Sequence, residues 1–131
     1  IAILGWAFKK DTNDTRESAA IYVAEKLLQE QAEVVVYDPQ VTSTQMCTDL
    51  ERLETLDAEA LKRFKVVDDP YEACNGSHAV AVLTEWDVFS TYDWEKIYAS
   101  MPKPAFVFDG RNVLDSNLLS EIGFKYSGIG K

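Results

Sequence analysis

Short apolar runs alternate with helical patterns along the whole chain, and few folds accept that alternation. Residues 1–5, 33–37, 65–67, 78–83, 105–109 and 124–127 read as strands. Val34-Val35-Val36 is β-branched and unbroken, as expected of a strand buried on both faces. Between the first two runs, Ala20, Val23, Ala24, Leu27 and Leu28 share one face of a helix over 15–30, and Glu25, Lys26, Gln29 and Glu30 share the other. Shorter helices are expected over 44–50, 57–64, 69–74, 93–100 and 115–122. Strand, helix, strand with a short return is a βαβ unit with a right-handed crossover. The expected fold is therefore α/β: a doubly wound, mostly parallel six-stranded sheet of Rossmann-like form, helices on both faces, strand order 3-2-1-4-5-6.

A chain of 131 residues has room for one domain with a real core, so residues 1–131 are read as a single domain. Ile1 starts inside a strand without a preceding methionine, and the chain is read as a piece of a longer one. The net charge of −9 argues against nucleic acid or an anionic membrane as general partner. Any bound anion must meet a local basic cluster. The two cysteines, Cys47 and Cys74, match no metal or redox spacing and are expected to be free thiols in a reducing compartment. With one histidine, no metal site is expected. No apolar run reaches membrane-spanning length and no signal peptide is visible, so a cytoplasmic location is expected.

The polar stretch after the first strand is where the chemistry concentrates. Gly5-Trp6-Ala7-Phe8-Lys9-Lys10-Asp11-Thr12-Asn13-Asp14-Thr15-Arg16-Glu17-Ser18 carries two lysines and an arginine in an acidic chain. In the expected strand order the sheet reverses direction between strands one and four, and ligands bind outside such a switch point. The exit loops there, 6–10, 84–86 and 109–112, converge on one rim. Asp14 and Glu17 fit an N-cap and its partner three residues on, which starts the helix at Thr15. A dinucleotide is the first candidate ligand, but Gly5 alone stands where G-x-G-x-x-G is needed. Asp38 occupies the place of a ribose-holding acid; before Pro39 it reads instead as a turn residue. The longer cationic loop suits a sugar diphosphate better.

Lys9 and Lys10 are adjacent, so one of them is expected to face the rim. Arg16 falls in the first helical turn, poor for a cation, and calls for either a bound anion or an ion pair with Asp11 or Asp14. Arg111 follows Gly110, a candidate for a strained backbone; it either grips phosphate or hydroxyls in fork geometry or pairs with Asp109. Phe8 and Trp86 can stack on a base or seal an interface, with core packing preferred for Trp86. His78 is read as packed and hydrogen-bonded, and both cysteines lie off the rim. No Ser/His/Asp set or carboxylate pair is placed for catalysis, so the chain reads as a binding module.

The loop, together with Tyr37-Asp38-Pro39, Thr84-Glu85-Trp86, the run Lys103-Pro104-Ala105-Phe106-Val107-Phe108-Asp109-Gly110-Arg111-Asn112, and Ile122-Gly123-Phe124 with Ile129-Gly130-Lys131, resembles the C-terminal domain of the UDP-glucose/GDP-mannose dehydrogenase family. Lys9-Lys10-Asp11-Thr12 is like the branch that acts on UDP-glucose. The resemblance implies an oxidoreductase that converts UDP-glucose to UDP-glucuronate with two NAD. It also implies a homo-oligomeric parent, and an NAD-binding N-terminal domain and nucleophilic cysteine outside this chain. It assigns Phe8, Lys9 and Arg111 to the substrate and Arg16 to the nicotinamide cofactor. GDP-mannose or an N-acetylated UDP-sugar is the alternative substrate. A receiver-type signalling domain, the alternative of another class, needs acids after strand one, where this chain has lysines. Trp6 replaces a usual Phe or Leu, and Asn112 stands where some relatives carry a second arginine. Asn13 replaces a common Gly and is expected to take its left-handed backbone.

Overall fold

The computed structural model describes residues 1–129. Six parallel strands form one sheet in the order β3-β2-β1-β4-β5-β6. They are β1 (Ala2–Leu4), β2 (Val34–Tyr37), β3 (Phe64–Val66), β4 (Ala79–Val82), β5 (Phe106–Asp109) and β6 (Lys125–Gly128). The expected order and the edge position of the last strand are both found. β1 and β4 are buried throughout, as befits central strands. On β2 only Val34 and Val36 are fully buried, so that strand is covered more completely on one face than on the other.

The helices are α1 (Ala19–Gln29), α2 (Ser43–Glu51), α3 (Ala58–Lys62), α4 (Pro70–Cys74), α5 (Trp94–Ala99) and α6 (Ser116–Ile122). A 3-10 turn at Asp87–Thr91, not anticipated from sequence, precedes α5. Right-handed crossovers send α1, α2 and α3 to one face and α4, α5 and α6 to the other. The packing agrees: α1 rests on α2 and α3, α5 on α6, and α4 on β1 and β2. Asp57, Asp69, Asp93 and Asp115 each cap the helix that follows through a side-chain oxygen. The core is continuous, with Trp6, Phe89, Ile3, Leu4, Leu28 and Met46 fully enclosed. Gly130 and Lys131, the end of the last motif, lie outside the described residues.

Three further expectations fail in this part of the structure. Helix α1 begins four residues later than Thr15, with Ser18 as its cap. Glu17 has φ 62°, a left-handed conformation that no helix continues through. Asp14 is engaged elsewhere, accepting from the Arg16 N–H at 3.0 Å, so the chain makes a local turn before the helix starts. Asn13 does not take the left-handed backbone; Asp11 does, at φ 63°. His78 is exposed just ahead of β4 instead of packed. Cys47 and Cys74 are free thiols, one exposed and one buried, and burial pushes the Cys74 thiol up to about 12.

Candidate functional site

The site is assembled on the carboxyl edge of the sheet, where β1 and β4 part. Gly5 turns the chain there at φ 101° and its N–H donates to the Tyr37 carbonyl at 2.9 Å. A Cβ on Gly5 would fall 2.5 Å from Cβ of Thr84, so the two exit loops touch as only glycine permits. Thr84 is fully buried, and its hydroxyl donates to the Ala7 carbonyl at 2.7 Å. Beneath the loop, the Trp6 indole is enclosed and donates to Asp49 Oδ2 at 2.9 Å. The Ser18 hydroxyl donates to the Trp6 carbonyl at 2.7 Å, tying the cap of α1 to the same segment.

Asp38 is the hub that the sequence hid. Its Oδ2 accepts from the backbone N–H groups of Trp6 and Ala7 at 2.7 and 2.9 Å and from the Trp86 indole at 3.2 Å. Its Oδ1 accepts from Gln40 and Val41 N–H at 2.8 and 3.1 Å. The turn reading accounts for the last two bonds only. With both oxygens occupied, this acid has no capacity left for a ribose. Trp86 is buried, as core packing requires.

Arg111 joins all three loops. Its Nη2 donates to the Phe8 carbonyl at 2.9 Å and its Nε to the Leu83 carbonyl at 3.2 Å. Its Nη1 lies 3.7 Å from Glu85 Oε2. The rim inferred from strand order is thus a physical contact: the carbonyl that Arg111 holds belongs to the residue before Lys9. Two of the guanidinium's five N–H groups are spent on carbonyls, and the side chain is 33% exposed, so donors remain for a ligand. Asp109 is not the ion-pair partner. Its buried carboxylate accepts from the N–H groups of Arg111 and Leu114 at 3.2 and 2.8 Å and from the Tyr126 hydroxyl at 3.1 Å. Burial and that carboxylate raise the Tyr126 hydroxyl to about 12. The left-handed residue here is Asn112, at φ 55°, and not Gly110.

The two lysines diverge. Lys10 reaches across to Asp87 at 3.3 Å, and its N–H donates to Glu85 at 3.2 Å. Lys9 enters no ion pair among the described residues and stands exposed beside Phe8, itself 43% exposed. Glu85 and Asp87 face Arg111 and Lys10, and Lys9 is left as the rim cation with no ion-pair partner among the described residues.

Arg16 lies outside any helix, on the same loop as Phe8 and Lys9. It pairs with Asp14 at 2.9 Å, the ion-pair alternative raised for it. The hydrogen bonds from Arg16 hold the Asp14 carboxyl at about 2, below the usual carboxylate range. Arg16 lies on a cleft of about 790 Å³ formed with α1 and α2 and lined also by Gln45, Asp49 and Arg52; Phe8, Lys9 and Arg111 are not part of it. Among the described residues, no group of three or more His, Cys, Asp or Glu is placed to hold a metal, and no helix is long and apolar enough to cross a membrane.

Fold and site together define a doubly wound α/β domain of the nucleotide-binding type, with a rim bearing Lys9, Lys10 and Arg111 in place of a glycine-rich dinucleotide loop. The profile of the UDP-glucose/GDP-mannose dehydrogenase family, UDP binding domain, matches residues 2–116, and the chain belongs to that family. It is 51% identical to UDP-glucose 6-dehydrogenase 4 of Oryza sativa subsp. japonica and 50% identical to UDP-glucose 6-dehydrogenase of Pongo abelii. Each match covers 100% of this chain and 29% or 27% of the relative, so the chain spans less than a third of either. Among solved structures, the NDP-N-acetyl-D-galactosaminuronic acid dehydrogenase of Methanosarcina mazei Go1 superposes with a TM-score of 0.75 at 28% identity, over 98% of this chain and 24% of that one.

Proposed function

We propose that this chain is the UDP-sugar-binding, C-terminal domain of an enzyme that oxidises UDP-glucose to UDP-glucuronate with two NAD. The observation that carries the reading is Arg111 bonded to the Phe8 carbonyl beside the unpaired Lys9. A diphosphate brings negative charge to both cations, and the exposed Phe8 ring offers a face to the base or sugar. Substrate contacts are assigned to Phe8, Lys9 and Arg111. The names of the plant and primate relatives, each matched along the whole of this chain, favour glucose as the sugar.

NAD supplies hydride acceptance when bound. With Asp38 saturated, NAD finds no free carboxylate for its ribose at this domain's own first loop. It belongs to an N-terminal domain of the same polypeptide, with Arg16 reaching toward it from the cleft edge. No residue of this chain is assigned to catalysis, so the chain alone is expected to be inactive. The parent enzyme is expected to be a cytoplasmic homo-oligomer.

Calorimetric titration with UDP-glucose, UDP and GDP tests the reading. UDP-glucose and UDP should bind and GDP should compete poorly; equal binding of GDP, or none of UDP, overturns it. The M. mazei likeness favours a second reading, an N-acetylated sugar, which titration with UDP-N-acetylhexosamines separates from the first.

A further inference from the structure

The buried carboxylate of Asp38 does more than cap its own turn. It lies at the end of β2, yet three of its five donors come from elsewhere: the N–H groups of Trp6 and Ala7 and the indole of Trp86. All five are N–H groups, and no cation is among them. Residues 6 and 7 lead directly into Phe8 and Lys9, whereas the sheet's own ladder grips the loop no further than Gly5 N–H. Beyond Gly5, the segment's anchors are the Asp38 oxygen, Asp49 on the Trp6 indole, the Thr84 and Ser18 hydroxyls on the Ala7 and Trp6 carbonyls, Arg111 on Phe8, and the Phe8 N–H bond to the Asp14 carbonyl at 2.8 Å. Asp38 is the one that fixes the direction of two successive peptide planes and ties them to the β4 exit loop through Trp86. We infer that Asp38 is a positioning residue for ligand binding: it sets the orientation in which Phe8 and Lys9 are presented at the rim. The inference deepens the proposed function and rests on its reading of the rim as the UDP-sugar site.

Asparagine is the sharp probe. It is nearly isosteric, but one oxygen becomes an NH₂ that must face N–H donors whichever way the amide turns. Asp38→Asn in the 131-residue chain should weaken UDP binding about tenfold or more by titration, the loss of one well-aligned charge-assisted contact. Nitrogen-15 relaxation should show new nanosecond motion at Phe8 and Lys9. Ile97→Ala, a cavity in α5 on the far side of the sheet from α1, is the comparison: it should lower thermal stability and leave UDP affinity unchanged. Unchanged affinity and unchanged loop relaxation in Asp38→Asn overturn the inference. If the unsubstituted chain fails to bind UDP, the reading of the rim falls, while the relaxation data still judge Asp38 as the loop's anchor. If Asp38→Asn does not fold, hydrogen exchange of the unsubstituted chain decides. Trp6 and Ala7 amides should exchange as slowly as those of β1 although they lie beyond its ladder, and fast exchange there overturns the inference.

Discussion

Arg111 and Arg16 rise from the same edge of the sheet, and they are held in opposite ways. Arg111 bonds to carbonyls contributed by two other exit loops, so its place is fixed by residues far away in sequence. Arg16 is 86% exposed on its side chain and bonds to Asp14, two residues away. The first is part of the framework and is oriented before any ligand arrives. The second is parked on a neighbour in solvent, where such a pair contributes little and exchanges readily. The contrast separates a rim side chain held by other loops from a solvent-exposed local ion pair.

Substitutions at four positions probe that contrast. Gly5→Ala strikes the framework itself. The added methyl meets Thr84 at 2.5 Å with φ at 101°, and a loss of about 3 kcal/mol is expected from overpacking plus backbone strain. Thermal denaturation should show a melting point lower by roughly 10 °C, and an unchanged one would mean that the loops are not locked together. Arg111→Ala should weaken UDP binding by about 2.5 kcal/mol, on the order of 70-fold, with Arg111→Lys restoring little because the fork geometry is lost. Lys9→Ala should cost about tenfold, read by the same titration, since an exposed ammonium meets phosphate in water.

Arg16→Ala has the smallest effect: UDP affinity should stay within about twofold, as no rim contact is removed. Its signature is in titration. The folded Asp14 carboxyl sits at about 2 against an ordinary 3.8, so the pair's contribution is present above pH 3.8 and lost as pH falls through 2. Carbon-13 NMR of the Asp14 carboxyl should show that midpoint rise toward the ordinary value in Arg16→Ala. A large loss of UDP affinity in this variant would erase the distinction between the two arginines.

Much of the rim was legible because local pattern and topology agree. The strand runs and their spacing fix the order of the sheet, and the order brings the loops of Phe8, Lys9 and Arg111 together. What stayed hidden is which of several available partners each polar side chain takes. Asp14 and Glu17 carry a good capping pattern, but Arg16 captures Asp14, and the Ser18 hydroxyl gains the Trp6 carbonyl as well as the cap. Asp109 beside Arg111 invited an ion pair; burial instead assigns it to backbone N–H groups and Tyr126. His78 was misread because a strand pattern does not say where the strand's first covered residue falls.

By itself the sequence determined the fold class, the strand order, the edge where the exit loops meet and the cations on it. These follow from hydrophobic periodicity and chain connectivity, both one-dimensional properties. Tertiary structure alone decided which acids are anchors and which are ion-pair partners. A carboxylate's role depends on the donors that surround it after burial, and those of Asp38 come from three loops that meet only once the sheet has closed.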